Sequence, residues 1–460
     1  MTMRAPTRPP LPHPRGRVPV IGDLFAFDFD TPTQSAVALA AELGPLFELE
    51  ALGVRYVVAA GAEYVIDLND ETRFCKHLGT DIEALRVIGG DGLFTAYNDE
   101  PNWHVAHQLL MPAFSQSAMR RYHATMLDVG DEFTALWDGS VGTATVDVSA
   151  DTTRVTLETI GRCAAGYSFD ALTRSEMHPF VGHMVKGLKG CDRLGALRGS
   201  YLPKAFARLA EIPVRRHAQA MSAVADEVIA VRLRERARGR DAAEPDLLDL
   251  MLDSELDFAN IRYQLLNFLV AGHETTSGAM SFALYFLSRH PEAVEKARAE
   301  IDTVWGDEPR PSFEQVTKLR YVRRVFDEAL RLQPTVPGYY RGAREDTLLA
   351  GRYPMRKGDW ALALTPVLHR DPRWGTNPDE FDPDRFEPER VRTRPAGLYK
   401  PFGTGPRSCI GRQFAIHEAI LMLAVLVRRY DLLADPGYQL KVAERLTLMP
   451  DGFRLALRRR

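Results

Sequence analysis

Cysteine is scarce in this chain. Four residues in 460, Cys75, Cys163, Cys191 and Cys409, form no C-x-x-C pair, and their spacings fit neither a zinc site nor a disulfide framework. So few thiols suit a reducing cytosol. An excess of one charge is lacking too. The 58 basic and 61 acidic residues leave −3 at pH 7, which gives no basis for a nucleic-acid-binding surface. The opening MTMRAPTRPPLPHPRGRVPVIGDL lacks the apolar h-region of a signal peptide, and its prolines predict an extended surface arm over residues 1–16. No internal repeat or low-complexity block divides the chain. One run approaches a membrane span, NFLVAGHETTSGAMSFALYFLS at 267–288. It carries His273 and Glu274 near its middle, where a charged side chain costs about 2.5–3.5 kcal/mol. The run is therefore expected to be a long helix through the core of a cytoplasmic protein that has no membrane span.

What is present is mostly helical. Periodicity of 3.6 residues marks 32–43, 104–137, 151–163, 204–238 and 259–289. Short strand-like pieces fall at 46–60 and 346–365, and 239–245 and 306–312 read as breaker-rich loops. After 365 the chain is rich in turns, including DPRWGTNPDEFDPDRFEPER, until a strong helix at 412–430. The expected fold class is mainly α with a small β region, in one large domain.

Long irregular stretches inside compact domains are usually functional. This one ends in PFGTGPRSCIGRQFAIHEAI, 401–420, where Gly403, Gly405 and Gly411 surround Cys409 and a helix begins just behind it. Glycines let the backbone approach something bulky, and a helix N-terminus with Arg407 nearby stabilises a thiolate. Three readings compete: a buried structural cysteine, a catalytic nucleophile, and an axial thiolate on haem iron. A nucleophile needs a positioned general base, which no pattern supplies. The run F-x-x-G-x-R-x-C-x-G, filled by Phe402, Gly405, Arg407, Cys409 and Gly411, favours the haem ligand.

On these residues the chain resembles the cytochrome P-450 superfamily of haem-thiolate monooxygenases, from about residue 17 to 458. E-x-x-R occurs as Glu328-Ala329-Leu330-Arg331, followed in order by PDRF at 383–386 and the cysteine loop. AGHETTSG, GDGLFTAY, SFALYFL, ANIRYQ and EDTLLAGRYPMRKGD are most similar to the haem domain of bacterial self-sufficient fatty-acid hydroxylases. The resemblance implies a P-450 fold over residues 17–460, with haem b between the long central helix and the cysteine loop. Cys409 would ligate the iron. Trp103, His107 and Arg407 would hold the propionates, joined by Lys76 and Arg341, with Phe402 and Gly411 as further haem contacts in the loop. Glu274 and Thr275 match the acid–alcohol pair that delivers protons to bound dioxygen. His273 is expected to be structural, since an H-E-x-x-H zinc motif breaks at Ser277.

The implied substrate is a hydrophobic small molecule, in a pocket of Tyr56, Ile82, Leu85, Ile88, Phe94, Ala271, Val336 and Tyr339. A medium- or long-chain fatty acid fits those walls. Two departures weigh against it: the entrance Arg expected beside Tyr56 has no counterpart, Arg55 matching a neighbouring position, and 187–203 carries more Gly and Arg than an acyl-chain roof needs. The alternative is a specialised metabolite whose polar end meets Arg193 or Arg198. Electrons are expected from NAD(P)H through a separate ferredoxin or flavin reductase, or through a fused one beyond the final DGFRLALRRR. Arg120, Arg121, Arg323, Arg324, Lys400 and Arg412 are candidates for a docking patch. A peroxygenase and a haem-based sensor remain as alternatives, and the Glu274–Thr275 pair counts against both.

Overall fold

The central helix, Phe258–Leu287, starts where Asp257 accepts a hydrogen bond from the Asn260 amide, satisfying one of the free N–H groups of its first turn. It is buried along most of its length, as a helix apolar on nearly every side must be. Val148–Ala165, Lys204–Ala237, Arg320–Leu332 and Arg412–Arg429 pack against it, and their apolar faces form the main core. The computed structural model describes residues 9–28, 30–239 and 245–460. Half of the predicted 1–16 arm and most of the 239–245 loop thus lie outside the described residues. Among those described, no helix is long and apolar enough to cross a membrane.

A five-stranded sheet closes one side, in the order Leu46–Ala51, Val54–Ala59, Trp360–Leu364, Gly338–Ala343, Phe74–His77. The 46–60 run is a hairpin turned at Leu52 and Gly53, whose φ values of 50° and 84° suit a tight two-residue connection. At the opposite edge, Lys76 pairs with Arg341.

Two predicted elements differ. The 104–137 run is two helices, Pro101–Leu110 and Gln116–Asp138, parted by a 3-10 turn at Met111–Phe114. Pro112 lacks the N–H to carry the first helix onward, and Ser115 caps the second by accepting from the Ala118 amide. Pro179–Gly199, which periodicity did not mark, is also a helix. Its five glycines lower intrinsic propensity, but it packs on Lys204–Ala237 and on the short helix Gly79–Ala84, and that tertiary contact prevails. It forms the roof of the site.

Glu328 and Arg331 are both fully buried and joined at 2.6 Å. The remaining guanidinium donors reach the carbonyls of His369, Pro378 and Glu380, while Glu328 accepts from the Asp382 amide at 2.9 Å. A buried ion pair is tolerable only when its other hydrogen-bonding groups are met, and here the irregular stretch meets them. Arg331→Leu leaves the buried Glu328 carboxylate with only the longer ion contact to Arg385, 3.5 Å away, among the described residues. It is expected to cost about 3–5 kcal/mol, read as a lowered thermal midpoint; Arg331→Lys should recover little, lacking the planar fork.

Candidate active site

A cavity of about 830 Å³ lies between the central helix, the sheet and the cysteine loop, a size that suits a small-molecule site. The central helix contributes Ala271, Glu274 and Thr275, and the loop contributes Gly403, Thr404 and Arg407. On a helix that is otherwise mostly buried, Ala271 is exposed and Thr275 partly so. Ile82, Leu85 and Ile88 form an apolar wall under the roof helix, and Tyr56 and Tyr339 line the sheet side. Phe94 and Val336 also line it and are 40% and 37% exposed.

Cys409 keeps an accessible face although it lies deep in the protein. Burial pushes its thiol up, opposed by the Gly411 N–H and by the charge of Arg412. The Cys409 amide donates to the Phe402 carbonyl at 2.9 Å, so Phe402 and Gly411 fix the turn on both sides. Gly405 takes φ +64°, and a Cβ there would fall 1.9 Å from Glu71 Oε1. A side chain there would be strained and would have to displace Glu71.

Trp103 and His107 stack at 4.7 Å, and the Arg407 guanidinium lies 3.9 Å over the Trp103 ring. Arg407 donates to the carbonyls of Ala96 at 3.2 Å and Tyr97 at 2.7 Å, and Lys76 donates to the Phe94 carbonyl. Neither cation has a carboxylate within ion-pair distance among the described residues. Burial pulls Arg407 down to about 10, and it pulls Lys76 down to about 7 with help from the charges of Arg407 and Arg86. Two enclosed cations without anions, near an accessible cysteine, match what haem offers: two propionates and an iron in need of an axial ligand. The residues fit the group. Arg341 differs, because it lines the cavity but already holds Glu71 Oε1 at 2.8 Å and the Leu68 carbonyl at 2.9 Å. The propionate expected of it has a competitor.

Glu274 is 2% exposed and stands 3.6 Å from Arg445, with neither carboxylate oxygen hydrogen-bonded among the described residues. Burial pushes it up to about 7, against the pull of Arg445 and Thr447. The central helix is continuous here, with no opened turn, and the Thr275 hydroxyl donates to the Ala271 carbonyl at 2.7 Å. Closure on its own backbone is common for a mid-helix Thr, and Thr275 also lines the cavity. His273 is buried, hydrogen-bonded through Nδ1 to the Leu269 carbonyl, and held down to about 4 by burial. It is neutral at pH 7.

Sequence reasoning missed a clamp. Gln264 accepts from the Leu93 amide at 3.0 Å, and Asn267 accepts from the Phe94 amide at 3.1 Å while donating to the Gly89 carbonyl. These side chains hold Phe94 over the cavity. The available signal was their i, i+3 spacing on an apolar helix, in line with Ala271 and Glu274. Missed too was Arg445, which arrives from the far end of the chain. The predicted entrance and docking charges are largely engaged. Arg55 bonds Glu48 and Tyr353, Arg198 pairs with Glu211 at 2.8 Å, and the Tyr56 hydroxyl meets Thr80 at 3.0 Å. Of the docking candidates, Arg120 pairs with Glu314, Arg323 with Asp327, and Arg324 with Asp384 and Glu387.

A helical fold whose glycine-rich cysteine loop shares a cavity with an acid–alcohol helix is that of a haem-thiolate protein. The profile of the cytochrome P-450 family matches residues 11–456. The chain belongs to that family, and membership implies haem. It is 40% identical over 97% of its length to a bifunctional cytochrome P-450/NADPH–P-450 reductase of Bacillus cereus, and 41% identical over 93% to such a protein of Bacillus subtilis. It is 37% identical over 98% to a self-sufficient cytochrome P-450 monooxygenase of Exserohilum turcicum. The chain spans about two fifths of the length of these relatives, 42%, 40% and 43%.

Proposed function

We propose that the chain is a monooxygenase of the cytoplasm that inserts one atom of dioxygen into a C–H bond of a hydrophobic small molecule, with electrons from NAD(P)H through a reductase. The observation that carries this reading is the apolar cavity shared by the cysteine loop and the Glu274–Thr275 turn. The relatives' names, which pair a P-450 with a reductase, support the electron source. Haem held at Cys409 would supply the iron chemistry that activates dioxygen, the thiolate favouring O–O cleavage. Lys76, Arg407 and the Trp103–His107 stack would anchor the propionates. Ile82, Leu85, Ile88 and Val336 exclude water and lay the substrate along the wall. Phe94, fixed by Asn267, limits which carbon approaches. Glu274 stores a proton inside the protein, and Thr275 presents a hydroxyl through which it can pass. The walls suit a chain-like substrate, a medium- or long-chain fatty acid among them; the charged residues of the roof favour a different polar end.

The test is turnover of the haem-loaded chain, with a reductase and NAD(P)H, under isotopically labelled dioxygen. One labelled oxygen atom per product molecule is expected. Product formed from peroxide alone, or label drawn from water, would sink the reading.

A further inference from the structure

The most exposed large apolar side chains gather at one corner of the protein. Val20, Phe25, Tyr201, Phe206, Leu209 and Ile212 are 52% to 84% exposed, and no other large apolar side chain among the described residues exceeds 47%. They come from two distant segments that meet at the tip of the 46–60 hairpin. On one side, the Leu52 amide donates to the Ile21 carbonyl at 3.3 Å and the Asp23 amide to the Glu50 carbonyl at 2.6 Å; Val20 and Phe25 flank these bonds. On the other, the Tyr201 amide donates to the Leu52 carbonyl at 3.1 Å, and a Cβ on Gly53 would lie 2.6 Å from the Tyr201 ring. Phe206, Leu209 and Ile212 follow at three-residue spacing at the start of Lys204–Ala237, on one side of the helix. The core does not need them, because the same helix buries Val214, Ala218 and Met221 on another face. Scattered exposed apolar residues are ordinary, whereas a cluster rimmed by polar groups marks a contact surface. Here the rim has one sign. Between 186 and 216 eight Lys and Arg stand against two acids, in a chain whose net charge is −3. All eight are exposed. Arg198 and Arg215 share Glu211, and the other six cations form no ion pair among the described residues.

We propose that this corner docks on an anionic lipid surface, its apolar side chains entering the boundary between headgroups and acyl chains and its unpaired cations lying over lipid phosphates. An apolar patch edged by Lys and Arg is what a helix lying in a membrane interface presents, and the cytoplasmic leaflet supplies the negative charge. A second copy of the chain is the poorer occupant, since two such surfaces would set like charges against each other. The cavity reaches the same corner, where Leu24, Leu52, Lys189 and Arg193 line it. Docking thus sets the rim of the cavity against the layer in which an apolar molecule dissolves. The lysines and arginines of the roof, which an acyl-chain wall does not need, gain a role outside the cavity. The docking goes beyond the oxidase reading and does not depend on it.

Co-sedimentation of the haem-loaded protein with vesicles of equal parts phosphatidylcholine and phosphatidylglycerol is the test, with pure phosphatidylcholine vesicles for comparison. Binding is expected to be about tenfold or more tighter on the anionic vesicles and to weaken as salt rises. The triple variant Phe206→Ser, Leu209→Ser, Ile212→Ser should lose about tenfold or more in vesicle affinity. The triple variant Lys204→Gln, Arg208→Gln, Arg216→Gln should lose the preference for anionic vesicles. All six positions are exposed, so both variants should keep the thermal midpoint and the carbon monoxide spectrum of the reduced wild-type protein. Val391→Ser with Leu433→Ser, each 45% exposed on the helix Pro388–Thr393 and the strand Tyr430–Ala434, should leave vesicle binding unchanged. Wild-type protein that ignores both kinds of vesicle would overturn the proposal, as would equal binding to the two or binding that survives the serine variant. Dimerisation that the serine variant abolishes, without vesicle binding, would overturn it in favour of a second copy. Failure of the haem-thiolate reading changes the carbon monoxide spectrum and leaves vesicle binding in place.

Discussion

Cys409→Ala is expected to abolish the red-shifted Soret band of the reduced protein under carbon monoxide and to reduce monooxygenase turnover to background. Alanine has no donor atom, and neither the Gly411 amide nor the Arg412 cation, which act on the Cys409 thiol, ligates a metal. The loop itself should survive, because its geometry rests on the backbone bond from the Cys409 amide to the Phe402 carbonyl and on the glycine conformations. Lys76, Arg407 and Trp103, proposed to hold the propionates, are untouched, so the variant should still bind haem, with an unshifted band. Cys409→Ser should behave alike, since a hydroxyl donates far less electron density than a thiolate. A variant that kept the red-shifted band would remove Cys409 from its role.

Glu274→Gln should lower turnover by about 10²–10⁴-fold, the range that a positioned proton donor contributes. The sign of the pH dependence follows from burial. With Glu274 raised to about 7, the carboxyl keeps its proton below that pH and loses it above. Product formed per NAD(P)H consumed should therefore fall between pH 6 and 8 in the wild-type protein, with peroxide rising in its place. Glutamine cannot titrate, so the variant's low yield should be flat over the same range. Thr275→Ala should bind substrate normally yet divert electrons to peroxide. Unchanged yield in either variant would mean that protons reach the cavity by another route.

The cysteine loop and the central helix were legible because each is a local pattern. One is a fixed spacing around Cys409, the other an apolar run with a misplaced acid. The hairpin at 46–60 was legible for the same reason. The roof helix was not, since its glycines argue against helix locally and only tertiary contacts, such as Gly195 on residues 80 and 81 and Gly190 on Val214, show why some of them are there. Pro112 is visible in the sequence, but a single proline inside a long apolar period is easily overridden by the periodicity on either side. Arg445 beside Glu274 escaped notice for a deeper reason, and so did Glu71, which takes up Arg341: each is an ordinary charged residue whose meaning lies in a juxtaposition across more than a hundred positions.

The buried pair of Glu328 and Arg331 also sets a clock. The segment from His369 to Asp382 has little ladder of its own; three of its carbonyls and one amide are held by those two side chains. It cannot peel away while the helix Arg320–Leu332 stands. Amide protons in the two regions should therefore exchange with solvent through the same rare opening, as one cooperative unit. The cysteine loop ends the same irregular stretch, beyond the short helices Pro383–Phe386 and Pro388–Thr393, so loss of a bound haem is expected to quicken in Arg331→Leu, read as its rate of transfer to an excess of an apo-haem protein.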